Sequence, residues 1–113
     1  MPETAFTKRM RQLCVDAPQR CEGYVPTRFR AMVEGCGGDF TPRAKTMLLS
    51  GVIQRGLWTL AKHSALDISM EAVVLQAPWR AEFGPDHLEA AAWRLKEAQR
   101  RVEMGEPPDS DEW

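Results

Sequence analysis

Helix-start signals recur through this chain, and each is followed by apolar residues spaced three and four positions apart. Thr27 precedes Phe29, Met32 and Val33, and Thr41-Pro42 precedes Ala44, Met47 and Leu48. Ser69 precedes Met70, Val73, Val74 and Leu75. Gly84-Pro85 opens the longest run, with Leu88, Ala91, Ala92, Leu95, Ala98 and Val102 on one face and ending near Val102 or Glu103. A hydroxyl can accept from first-turn amides, and proline suits the first helical position, where no N–H is needed. Such punctuation leaves room for little except short helices. The predicted fold is all-α: a compact orthogonal bundle of about five to six short helices with a longer C-terminal one.

The remaining segments fit that plan. Phe6, Met10, Leu13 and Cys14 form a narrow stripe, and Pro18 and Gly23 should stop this helix at Ala17 and leave 18–26 as a loop. Gly35-Cys36-Gly37-Gly38 ends the second helix. Gly51 breaks or bends the stretch before Ile53, Leu57, Leu60 and Ala61, with Trp58 at the edge of that stripe. Val73-Val74 leaves a buried strand open, but no partner strand is evident, so helix is preferred, with Glu71 as a first-turn acid favoured by the helix dipole. Pro78 to Phe83 reads as a turn or two of helix, and Glu97 and Arg101 as a favourable i,i+4 pair. Residues 1–104 form one domain in this reading. Residues 105–113, with two prolines and four acids, form a flexible acidic tail.

The catalytic and metal classes find little material. Cys14, Cys21 and Cys36 lack the close pairing of a zinc site and read as buried or half-buried thiols. The glycines at 35–38 are not followed by the Gly-Lys-Ser/Thr of a phosphate loop. His63 at a helix end and His87 beside Asp86 and Glu89 read as surface residues. The expectation is therefore a non-enzyme with no metal and no cofactor. No apolar run reaches the roughly 18 residues a membrane helix needs. The stretch Met1-Pro2-Glu3-Thr4-Ala5-Phe6 also lacks the basic and apolar regions of a signal peptide. A cytoplasmic location without membrane contact is expected.

Partners are argued from charge and aromatics. Residues 1–62 hold ten Lys/Arg against five acids, and residues 63–113 hold five against eleven. Opposite halves either neutralise each other in the fold or face different partners. Four tryptophans in 113 residues favour a protein partner, because Trp and Arg dominate interface hot spots. The candidate contact residues are Trp79 and Arg80 first, then Trp58 and Trp93, with filling of the core as the competing role of each tryptophan. The alternative partner is nucleic acid, met by Lys8, Arg9, Arg11, Arg28, Arg30, Arg43 and Lys45, with a helix-turn-helix drawn over 42–62. Near-neutral net charge and the apolar run 52–61 weigh against it. Self-association is a further partner class, and the tail offers a second contact, docking on a basic partner or mimicking nucleic acid.

From Gly56 on, one pattern stands out: Gly56-Leu57-Trp58, Leu66-Asp67-Ile68-Ser69-Met70-Glu71-Ala72-Val73-Val74-Leu75, Pro78-Trp79-Arg80, Phe83, Leu88 and Ala91 to Leu95. Tyr24-Val25-Pro26-Thr27-Arg28-Phe29 and Gly37-Gly38 extend it upstream. It resembles a pattern of small bacterial and phage proteins of unassigned function. The likeness departs at residues 39–50 and in the tail. It implies a bacterial or phage origin and carries no activity onto particular residues. For such a protein without catalytic groups, the expected roles are adaptor, inhibitor or small subunit of a larger assembly. Phage defence or counter-defence, such as inhibition of a nuclease, fits that size and style.

Overall fold

The computed structural model describes residues 3–24 and 26–111. Among them are six α-helices: α1 (Ala5–Arg20), α2 (Thr27–Glu34), α3 (Thr41–Leu48), α4 (Arg55–Lys62), α5 (Met70–Val74) and α6 (Pro85–Met104). Two 3-10 turns, Leu66–Ile68 and Trp79–Glu82, complete the regular structure, and the described residues contain no strand. The expected all-α bundle with a long final helix is the observed fold. Helix α6 is its spine: α3, α4 and α5 all pack on it, while α2 packs on α1. A radius of gyration of 13.2 Å fits a close-packed body of about 100 residues.

Helix α1 overruns the stop expected at Ala17, because the lesion made by Pro18 is repaired. Proline cannot donate to the carbonyl four residues back, which here is Cys14 O. Arg30 Nη2, from α2, donates to that oxygen at 3.2 Å. The helix therefore continues to Arg20 with its stripe, Phe6, Met10, Leu13, Cys14 and Ala17, buried.

The helix starts fall where the punctuation placed them, but two use different caps. Thr27 is itself the first residue of α2, behind Pro26, and its hydroxyl caps nothing. At α3 the acceptor is Asp39 Oδ1, which takes the Thr41 N–H at 3.0 Å. Ser69 does cap α5: its Oγ accepts from Ala72 N–H at 3.1 Å and donates to Leu66 O at 2.7 Å. The Val73-Val74 stretch is helical, so the strand alternative falls. Gly51, with φ +71°, helps break α3 from α4, and residues 49–54 are not helical.

The core has two parts. The larger gathers Phe6, Met10, Leu13, Phe29, Phe40, Val73, Val74, Phe83 and Ala91, among others. Its aromatic rings meet edge to face, Phe6 with Phe83 at 5.4 Å and Phe29 with Phe40 at 5.5 Å between centroids. The smaller is Ile53, Leu57, Ala61 and Ala98, with Trp58, Leu95 and Val102 against it. Residues 105–111, where a flexible tail was expected, return across α4, and Asp109 N–H donates to Ile53 O at 2.8 Å. Residues 112 and 113 of that expected tail lie outside the described residues.

Candidate protein-interaction face

On α6, Ala91 belongs to the larger core and Ala98 to the smaller, and between them the inward side chain is Arg94. Arg94 is 1% exposed, and its partner Glu71 on α5 is 5% exposed. A guanidinium at this depth needs its donors matched, since a buried unpaired charge is strongly destabilising. Nε donates to Glu71 Oε2 at 2.8 Å. Nη1 donates to Val52 O at 2.7 Å and to Ser50 Oγ at 3.4 Å, and Nη2 donates to Gln54 Oε1. One buried side chain thus ties the whole α3–α4 connection to the spine. Its planar fork suits the task, because several acceptors are met from a single fixed position.

The loop so held carries apolar side chains that face outward. Leu49 is 53% exposed and Val52 38%, while Trp93, the residue before Arg94, is 47% exposed. Leu49 and Trp93 line one surface cleft with Leu48, Gly51 and Ala90, and the carboxylates of Asp86 and Glu89 line it too. The face combines a large rigid aromatic, aliphatic neighbours on a fixed loop, and an acidic margin. Isolated exposed apolar residues are ordinary, whereas here an exposed tryptophan and an exposed leucine share one cleft.

The structure places the other two candidate tryptophans elsewhere. Trp79 is half-buried, with its ring 6.1 Å from that of Phe6, and Arg80 is exposed, 3.5 Å from Leu75 O. Trp58 is half-buried: its indole N–H donates to Glu106 O at 2.9 Å, and Lys62 Nζ lies 5.2 Å from its ring. Neither lines the Trp93 cleft. The candidate residues therefore do not form one patch, and Trp93 is the one set among exposed apolar neighbours. Arg94, Leu49 and Val52 were not singled out from sequence.

Four of the seven basic candidates divide between two clefts. Arg28 and Arg43 line one between α2 and α3 that includes Asp39, and Arg11 and Arg30 line another between α1 and α2 that includes Glu34. Several already have work: Arg11 pairs with Glu3, Arg30 satisfies Cys14 O, and Arg43 Nη2 lies 3.4 Å from Met32 Sδ. Lys45 Nζ stands 5.9 Å over the Phe83 ring, Arg9 is half-buried, and Lys8 is exposed. The helix-turn-helix drawn over 42–62 meets a second obstacle. Leu57, Leu60 and Ala61 of its would-be reading helix are buried.

Burial raises the pKa of the Cys14 and Cys21 thiols, which lowers their thiolate fraction at neutral pH. His87, read as a surface residue, is instead largely covered, and its Nδ1 accepts from Gly84 N–H at 3.1 Å at the start of α6. Among the described residues no group of three or more His, Cys, Asp or Glu could hold a metal ion. No described helix is long and apolar enough to cross a membrane.

The fold and this face define a small all-α bundle with an exposed tryptophan cleft. No protein-family model matches the chain, and neither a curated protein nor a solved structure is significantly similar to it.

Proposed function

We propose that this chain is a non-enzymatic binding module that docks another protein on the Trp93 face. The observation that carries the reading is the fixed cleft itself, in which Trp93 and Leu49 stand exposed beside Asp86 and Glu89. Its partner chemistry follows from that lining: an apolar side chain to enter the cleft, flanked by Lys or Arg to meet the two carboxylates. An adaptor, an inhibitor or a small subunit of a bacterial or phage assembly would use such a face. The tryptophan provides contact area at low conformational cost, and the Arg94 anchor spares the loop from ordering on binding.

A photo-crosslinking residue at position 93 of the full chain, expressed in its host, tests this. The expected product is a discrete adduct with a second protein whose crosslinked segment is apolar and basic. Trp93→Ala should keep the helical circular-dichroism signal and weaken that complex by about 2 kcal/mol or more. Adducts only with nucleic acid, or only with a second copy of the chain, would sink the proposal.

A further inference from the structure

A second surface is already occupied, by residues 105–111 of the chain itself. After α6 the backbone turns at Gly105, φ +71°, and runs back in extended form over the start of α4. Asp109 N–H donates to Ile53 O at 2.8 Å, and Arg55 N–H donates to Ser110 O at 3.1 Å. Ile53 N–H donates to Asp109 Oδ2 at 2.9 Å. Gln54 and Ser110 thereby form a parallel bridge. Trp58 Nε1–H donates to Glu106 O, and three arginines meet the segment's acids: Arg55 with Asp111, Arg101 with Asp109 and Arg100 with Glu106.

The two sides of this contact are built differently. The receiving side is rigid: Ile53 is fully buried, and Arg94 holds Val52 O and the Gln54 side chain from within. Its outward main-chain groups at 53 and 55 therefore stay in place whether or not anything pairs with them. The incoming side is thinly anchored: between Gly105 and Asp111 its only apolar side chains are Pro107, exposed, and Pro108, half-buried. It is held by a few main-chain bonds and by ion pairs such as that of Asp111, whose side chain is 89% exposed. Ion pairs of that kind contribute little each and are screened by salt.

We propose that the edge at residues 53–55, with Trp58 and the arginines 55, 100 and 101, is a groove for extended acidic segments of another protein. Residues 105–111 of this chain occupy it as a displaceable internal ligand. The mode is addition of a strand to a fixed edge, with main-chain bonds supplying affinity. Specificity comes from two carboxylates two residues apart, as in Asp109 and Asp111, which an extended chain places on one side. A tethered ligand competes at high effective concentration, so the groove stays closed until a better acidic segment arrives.

A fluorescent peptide of residues 105–112, titrated into full-length chains, tests this. The variant Asp109→Asn/Asp111→Asn should bind it at least tenfold more tightly than wild type, because its internal competitor is weakened. Adding Arg55→Glu to that variant should abolish binding, as should asparagine at both aspartates of the peptide. Equal binding by wild type and variant, or none by either, overturns the proposal. If the variant loses its helical signal, hydrogen exchange on wild type decides. A displaceable segment requires the Asp109 amide to exchange at least a hundredfold faster than the Ala98 amide, and equal protection overturns it. A wild-type dimer in light scattering, its tails exchanged between copies, would assign the groove to self-association instead and overturn the partner.

Discussion

Arg94 and Glu71 form the one fully buried ion pair among the described residues, and they couple α5, α6 and the α3–α4 loop at a single point. Taking two charges out of water costs several kcal/mol per ion, which is offset only when geometry and further hydrogen bonds are good, as here. Removing one partner should therefore be worse than removing both. Glu71→Ala is expected to lower unfolding stability by about 3–5 kcal/mol in urea titration, because the guanidinium stays buried without its counter-charge. Glu71→Leu combined with Arg94→Met should recover most of that loss. A double variant as unstable as Glu71→Ala would show that the loop bonds of Arg94, not the charge pair, carry the stability. This residue also marks where the sequence stopped being readable. The apolar stripe expected on α6 runs through Ala91 and Ala98 and does not include Arg94. Yet 91, 94 and 98 share a face, and two small neighbours leave room for one large side chain. Glu71 was visible as a helix-start acid, but its partner lies 23 positions away and no local rule reaches that far.

At the scale of elements, starts were legible, and so was the end of α2 at Gly35, while the end of α1 was not. Ser69 and Gly84-Pro85 act as the punctuation indicated, because capping is decided within a few residues. The α1 terminus was misplaced because its continuation depends on Arg30, a residue of another helix. That dependence can be measured as a coupling. Arg30→Ala should cost roughly 1 kcal/mol by leaving Cys14 O without its donor. In a Pro18→Ala background the restored N–H can reach that carbonyl, so the same change should cost only a few tenths. Additive losses in the thermal-unfolding cycle would show that Arg30 acts elsewhere. The Trp93 face belongs to this scale too. Its tryptophan was singled out from sequence. Its loop neighbours were not, because the loop that exposes Leu49 and Val52 is tied down in part by an arginine about forty positions away in the sequence.

Across the whole molecule, the opposed charge of the two halves is partly neutralised within the fold. Arg20 pairs with Asp67 and Arg55 with Asp111 across the divide, while Glu97 meets Arg100 and Arg101 within the acidic half. These contacts set how stability follows pH. The Arg20 side chain, by hydrogen bond and charge, holds Asp67 below its ordinary value of 3.8. Arg101 and the Ile53 amide do the same for Asp109. Arg100 and then Arg101 bring Glu97 from 4.5 to about 2. A carboxyl depressed in the folded state binds its proton more readily when unfolded. Its contribution is therefore complete above the unfolded value and is lost as pH falls through the folded one. The thermal midpoint should accordingly be insensitive to these carboxylates above about pH 5 and decline below about pH 4. Because Asp109 is among them, Trp58 emission should change in the same acid range as the segment that covers its indole N–H lets go. Asp109→Asn should move that optical change toward neutral pH while leaving most of the midpoint curve in place. An emission change in wild type centred above pH 5 would instead assign the release to a group other than these carboxylates.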